Sequence, residues 1–272
     1  MTTTGLEVRL REGRERAAVH RFTKTLDDLV LALREIDKSY LTHGSRPTWV
    51  IAGLNHESSG DMIVRLEARS PSRTRPLEDM LLSVEALVDG VNSLGSLPEV
   101  PRFYSPETVG RITRIATPSE GFAEVSVASY NGKINSRAVL TSEVRQNAEL
   151  ALQGKEVSYG SISGTLDTVS SAPARNILRA RIYDEQTQRA VAGVVSQDLS
   201  ESLRQHWNHR VLVGGLITRN GRGQALKIEI DQLERLPEND LGMPSPAELL
   251  GIAPTWLNGE NVDDYMGSIR GA

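Results

Sequence analysis

The chain has 272 residues, 39% hydrophobic, 24% charged and 4% aromatic, with no cysteine and a formal net charge of -4. This is an ordinary soluble composition, long enough for more than one core; it excludes disulfides, thiolate metal sites and cysteine nucleophiles, and leaves few aromatic platforms for bases. The charged start "MTTTGLEVRLREGRERAAVHRF" lacks the apolar core of a secretory signal, and no stretch approaches roughly eighteen apolar residues, so a cytoplasmic protein without membrane contact is expected.

In chain order, "LEVRL" alternates as a short strand, and a helix follows on Leu26, Leu29, Val30, Leu33, Ile36 and Tyr40 at three- and four-residue spacing. Thr25 with Asp28 resembles a capping box at its start. "TWVIAGL" and "DMIVRLEA" read as strands joined by the polar turn "NHESSG". Pro76 suits the first turn of a second helix striped by Met80, Leu81, Val84, Leu87, Val88 and Val91. Residues 1–98 are therefore expected to form an N-terminal α+β domain. "GSLPEVPRFYSPE" holds three prolines in thirteen residues and reads as a linker or exposed crossing loop. Strands "VGRITRIAT" and "AEVSVASYNGKINSRAVL", the latter with an Asn131-Gly132 hairpin signal, then lead to a helix over Thr141–Gln153 closed by Gly154. Residues 99–154 thus read as a linker and β-rich segment ending in a helix.

Residues 155–236 carry the clearest pattern. "VSYGSISGTLDTV", "ILRARIYD" and "AVAGVVS" are strands, "QDLSESLRQHW" is helical, and "RVLVGGLIT" and "ALKIEIDQL" are two further strands. Three strands, a helix and two strands is the order of an OB-like barrel; another small five-stranded barrel or a sandwich is the rival. The segment from Val109 to Gln153 echoes the first part of this order, but with few residue matches, so two unrelated β-rich segments are preferred to a duplication. The expected fold class is α+β: an N-terminal α+β domain, a β-rich region with an OB-like five-stranded barrel over 155–236, and a helical tail over 237–272.

Gly221-Arg222-Gly223 invites comparison with a phosphate loop, yet a strand rather than a helix follows it. Asn220-Gly221 then reads as a hairpin turn with the glycine accepting positive φ, and Gly214-Gly215 as a bulge or bend. An OB-like barrel presents ligands to strands 2 and 3 between the first-second and fourth-fifth strand loops. Arg175 falls on the first loop, Arg219 and Arg222 on the second, and Arg179, Arg181 and Tyr183 share one face of "RNILRARIY". These six residues are the candidate surface for RNA or single-stranded DNA, set against an ordinary solvated barrel face. Position has to carry that reading, because 11 basic against 9 acidic residues in 155–236 is too small an excess for bulk charge to do so. "GSISG" has Ile162 where a hydrolase elbow needs serine. His206 and His209 lack a flanking carboxylate cluster, and His56-Glu57 is a lone acid-base pair. No catalytic residue, metal or cofactor is therefore expected.

The tail carries 1 basic and 6 acidic residues and two punctuated helices: Ser245, Pro246 and Gly251 bound the first, while Asn261 with Asp263 and Asp264 starts the second. Trp256, Leu257, Val262, Tyr265, Met266 and Ile269 give it an apolar surface that needs cover, from the chain's own body or from a partner. "AELLGIAP" and "NGENVDDYMGSIRG" resemble the C-terminal segments of antitoxins that accompany PIN-domain ribonuclease toxins, and the middle of the chain is similar to OB-fold domains of bacterial proteins. The resemblance implies that the tail wraps a toxin, with Trp256, Leu257, Val262, Tyr265, Met266 and Ile269 as anchors and Arg270 entering its acidic active site. Such antitoxins are usually short and built on a small DNA-binding dimer, whereas more than two hundred residues precede the tail here. The expected function is a non-enzymatic, antitoxin-like protein that restrains a partner nuclease, with nucleic-acid contact by the barrel. The alternatives are a stand-alone OB-fold nucleic-acid-binding protein and, more distantly, a hydrolase using His56 and Glu57.

Overall fold

Alternation in "LEVRL" sets the centre of the first sheet, with Leu6, Val8 and Leu10 on one face and Glu7 and Arg9 on the other. The structure, a computed structural model, describes residues 4–13, 18–40, 46–57, 60–70, 75–117, 122–172, 177–195 and 197–237. Strand β1 (Thr4–Glu12) pairs antiparallel with β3 (Asp61–Arg69) and β4 (Phe122–Asn131), while β2 (Thr48–His56) and β5 (Ile134–Val139) form the two edges. Leu6, Val8 and Leu10 are fully buried in one core with Leu29, Leu33 and Ile36 of α1 (Val19–Tyr40) and Val84, Leu87 and Val88 of α2 (Leu77–Ser96). On the other face, buried Glu7 accepts from Arg65 Nε at 3.1 Å and Arg137 Nη2 at 3.4 Å, which compensates its loss of water.

Several sequence expectations change here. "VGRITRIAT" lies within helix α3 (Pro106–Ala116), not in a strand. Ser105 caps that helix by accepting from Thr108 N–H, Pro106 opens it, and Val109, Ile112 and Ile115 recur every three residues on the buried face. β-branched content suggested a strand, but the cap and the spacing decide. The echo of the barrel order upstream therefore disappears, since a helix stands where its first strand would be. The capping box at Thr25 and Asp28 is also absent: α1 starts at Val19, and Asp28 is a buried ion-pair partner. Residues 95–107 are no exposed loop, because Val100 and Tyr104 are buried and Tyr104 donates its hydroxyl to Leu87 O at 2.6 Å. Nor do residues 99–154 stand apart, since β4 and β5 complete the sheet begun by β1, and α4 (Ser142–Ala151) joins its core through Val144, Ala148 and Ala151.

The second sheet closes into a five-stranded barrel. Its strands are β6 (Gly154–Ala172), β7 (Ile177–Asp184), β8 (Arg189–Val195), β9 (Arg210–Asn220) and β10 (Ala225–Arg235), in the order β10-β8-β7-β6-β9. A 3-10 turn over Gln197–Leu199 and helix α5 (Ser200–Gln205) separate β8 from β9, and β10 pairs β8 in parallel while the other pairs are antiparallel. This arrangement is compatible with an OB-like barrel. Its core is built by Leu166, Ile182, Val191, Val211, Val213, Ile217 and Ile228. The chain divides into two units, Met1–Leu236 and Pro237–Ala272. Beyond Pro237 the expected helical tail, with Trp256, Leu257, Val262, Tyr265, Met266, Ile269 and Arg270, lies outside the described residues.

Tyr104 yields a test in which two rules give opposite signs. A glycine inside an exposed helix normally gains about 1 kcal/mol when replaced by alanine. At Gly90 of α2, however, the new methyl would sit 2.4 Å from the buried Tyr104 ring. Gly90→Ala is expected to destabilise the protein by about 1–3 kcal/mol in urea unfolding through overpacking, and a stabilised variant would contradict this account of the core.

Candidate anion-binding site on the barrel

The alternation of β7 places Leu178, Ala180 and Ile182 inside the barrel and Arg179, Arg181 and Tyr183 outside. The outer residues do not form the expected open surface. Tyr183 is only 5% exposed, and the Arg181 side chain 16%. Arg181 pairs with Glu107 at the start of α3 and approaches Glu35 of α1 at 4.0 Å, while Tyr183 donates to Asp167 Oδ2 at 3.5 Å. Burial, and then the Asp167 carboxylate, push the Tyr183 hydroxyl far above its ordinary pKa, so it stays a neutral donor. Helices of the sheet half cover this stretch of the strand-2 face, and neither residue is available for stacking or phosphate contact. Arg179 is exposed at the other end of β7, and Arg175 lies outside the described residues.

Glu35 anchors this seam. Its carboxylate accepts from Arg111 Nη2 at 3.3 Å, Ser105 Oγ at 3.1 Å and Thr108 Oγ1 at 2.7 Å. Two turns away on the same face of α1, Asp28 takes Arg114 at 2.7 Å and Arg111 at 3.1 Å. At the far end of the helix Lys38 reaches Asp167 of β6 at 3.3 Å, and Asp37 binds Arg75 and Arg46. The segment 100–104 adds backbone contacts: Phe103 N–H donates to Gln188 O at 2.7 Å, and Ala190 N–H donates to Tyr104 O at 3.2 Å.

The arginines at the other loop meet a cavity. β6 pairs β9 from Gly154 to Thr165 but β7 only from Gly164 onward. Beside that transition a cavity of about 470 Å³ opens between β6, the β7–β8 turn and the β9–β10 hairpin. Arg219 and Arg222 of the hairpin line it, and so does Arg189 at the start of β8, which the sequence reading missed. Arg189 donates Nε to Val100 O at 2.6 Å and Arg219 donates Nη1 to Gly223 O at 3.1 Å. Among the described residues, none of the three has a carboxylate oxygen within 4 Å. Burial draws the Arg189 pKa below its usual range, against the raising charges of Glu99 and Asp184. The only signal that could have found Arg189 was its place immediately after the β7–β8 turn.

The hairpin is held by Asn220, whose Oδ1 accepts from Arg222 N–H and Gln224 N–H at 3.0 Å and whose Nδ2 donates to Ala151 O at 2.9 Å. Gly223, not the expected Gly221, takes the positive φ of 75°. The expected bend at Gly214-Gly215 coincides with a register shift opposite, between Ile230 and Gln232.

A second cavity of about 480 Å³ lies in the sheet half, lined by Arg21, Lys24, Asp28, Arg114 and Phe122; there Asp28 neutralises Arg114. Among the described residues no cluster of three or more His, Cys, Asp or Glu could hold a metal ion. His206 approaches Ser202 O, His56 lies 3.7 Å from Glu12 and Glu57 lies 3.8 Å from Arg9, contacts that engage neither member of the His56-Glu57 pair with the other. No helix among the described residues is long and apolar enough to cross a membrane. No family model matches the chain, and no curated protein matches its sequence.

The seam makes a pH prediction. Burial works to raise the Asp28 pKa, but the hydrogen bonds and charges of Arg114 and Arg111 outweigh it and hold the carboxyl below its ordinary 3.8. A depressed folded pKa contributes stability that is present above 3.8 and is lost as pH falls through the lower folded value. Asp28→Asn should therefore cost about 1–3 kcal/mol in urea unfolding at neutral pH. That deficit should shrink as pH drops below 3.8, and one constant with pH would contradict the assignment.

Proposed function

We propose that the protein is a non-enzymatic binding protein whose OB-like barrel contacts single-stranded nucleic acid through the arginine-lined mouth. The order β10-β8-β7-β6-β9, with its parallel β8–β10 pair and the helix before β9, supports the OB-like assignment. One observation carries the reading: Arg189, Arg219 and Arg222 converge on one cavity without a carboxylate within 4 Å, although the arginines of the α1–α3 seam are neutralised. Cations gathered without an ion-pair partner in contact favour an anion, and phosphate is the anion that guanidinium forks match best.

Arg219→Ala and Arg222→Ala together should weaken binding of an oligonucleotide and lower the slope of log affinity against log salt by about 0.7 for each phosphate contact removed. Arg179→Ala, at the far end of β7, should change neither. An unchanged slope in the double variant would reject the arginine-lined cavity as the site, and a loss confined to Arg179→Ala would place the contact on β7 instead.

The division of the chain at Pro237 favours a second, compatible reading, in which Pro237–Ala272 acts as a separate module that holds a partner nuclease of PIN type in the manner of an antitoxin. Its anchors would be Trp256, Leu257, Val262, Tyr265, Met266 and Ile269, with Arg270 as the inserted cation. Co-purification with a small ribonuclease encoded beside it, and bearing clustered aspartates, should be abolished by deleting residues 243–272; binding that survives the deletion intact rejects this reading.

A further inference from the structure

We propose that the barrel mouth grips a terminal phosphomonoester, so that the protein holds a single strand by its end rather than along its length. The inference rests on the nucleic-acid reading above and adds which part of the strand is recognised. An internal phosphodiester carries a single negative charge, and an extended strand presents such charges in a row that a protein meets with a groove. A terminal phosphomonoester concentrates about 1.5 to 2 negative charges and three acceptor oxygens at one point.

The mouth fits the second pattern. Arg189, Arg219 and Arg222 share one cavity of about 470 Å³, and among the described residues Asp184 is the one carboxylate lining it. That carboxylate is occupied, accepting from Gln186 N–H at 2.9 Å and Thr187 Oγ1 at 2.7 Å. Three lining arginines against that one lining carboxylate leave the wall positive, although Glu99 also acts on Arg189. Ser161 and Ser163 line the same wall, and their hydroxyls have no partner among the described residues, which leaves them free to donate to phosphate oxygens. Two of the guanidiniums are held in place before any ligand arrives, Arg189 by Val100 O and Arg219 by Gly223 O, so less side-chain freedom is lost on binding. A track onward across β7 is closed, because Arg181 is paired with Glu107 of α3 beside Glu35 of α1, and Tyr183 is buried against Asp167 of β6. The cavity has the size of a small-molecule pocket, roughly 300–1,000 Å³.

The shared chemistry of a strand end and a free nucleotide is separated by the choice of probes. Full-length protein is titrated at fixed salt with labelled DNA strands of about twelve nucleotides bearing a 5′ phosphate, a 3′ phosphate or neither, with a circular single strand, and with adenosine 5′-monophosphate as competitor. At least one phosphorylated strand is expected to bind about tenfold tighter than the unphosphorylated and circular ones, as a charge-assisted bidentate contact predicts. Adenosine monophosphate should displace it. Arg219→Ala should bring the phosphorylated strand to the affinity of the unphosphorylated one, while Arg219→Lys, which keeps the charge but not the fork, should fall between; thermal melting confirms that both variants fold. If the circular strand binds as tightly as the phosphorylated ones, end recognition is wrong although the nucleic-acid reading stands. Binding of adenosine monophosphate without any strand binding overturns the strand as the source. Failure of every probe overturns both.

Discussion

The carboxylate of Glu35 is the contact on which the arrangement of the two halves depends. It sits on α1, inside the sheet half, yet the groups around it come from the cap of α3 and from the barrel: Ser105, Thr108 and Arg111 bond to it, and Arg181 of β7 stands 4.0 Å away. A charge taken out of water at such a place is tolerated only if donors replace the water, and here each donor belongs to an element that must be correctly placed. The N-cap of α3 and one approach of the barrel thus meet at the same carboxylate. Buried pairs of this kind contribute little net stability compared with apolar packing, but losing one partner is costly, so they select one docking geometry over others.

That geometry reassigns the barrel's surface. Arginine and tyrosine on the outer face of a small barrel's second strand ordinarily suggest a ligand platform, but here Arg181 is neutralised by Glu107 and Glu35, and Tyr183 is buried against Asp167. The same chemistry that would serve an external phosphate serves an internal carboxylate. What distinguishes the remaining arginines is the lack of any such partner. Arg65, Arg75, Arg111, Arg114 and Arg137 each have a carboxylate beside them, whereas Arg189, Arg219 and Arg222 share a cavity with no carboxylate oxygen within 4 Å of them among the described residues.

The sequence made the barrel legible because its signals were local. Period-two alternation in "ILRARIYD" and "ALKIEIDQ", the hairpin residues at Asn220 and the helix before β9 each specify a neighbour, and the five strands close as their order predicts. The first half was legible strand by strand but not as a whole. β1 pairs with β4 across more than a hundred residues of chain, and nothing in "LEVRL" or "AEVSVASY" announces that partnership. The helix over Pro106–Ala116 was hidden by its β-branched residues, although its Ser-Pro cap and three-residue spacing were present. The site was half legible for the same reason. Arg219 and Arg222 follow from a turn, whereas the pairing of Arg181 depends on α1 and α3 arriving from elsewhere, and Arg189 joins the cavity only when the β7–β8 turn meets the hairpin.

Val100 connects these two levels. Its carbonyl accepts from Arg189 Nε at 2.6 Å and from Gln224 Nε2 at 3.2 Å, while its N–H donates to Gln224 Oε1 at 2.7 Å. One peptide thus holds the β7–β8 side of the mouth and the β9–β10 hairpin together. That peptide is itself fixed four residues later by Tyr104, whose ring fills the first core and whose hydroxyl bonds Leu87 O. The width of the mouth is therefore set by the packing of the sheet half rather than by the barrel strands that line it. A cavity ordered in this way before any ligand arrives would suit the proposed charge at one point better than charge spread along a flexible path. The proline-rich segment that resembled a linker is a part of the chain that ties the sheet half to the barrel.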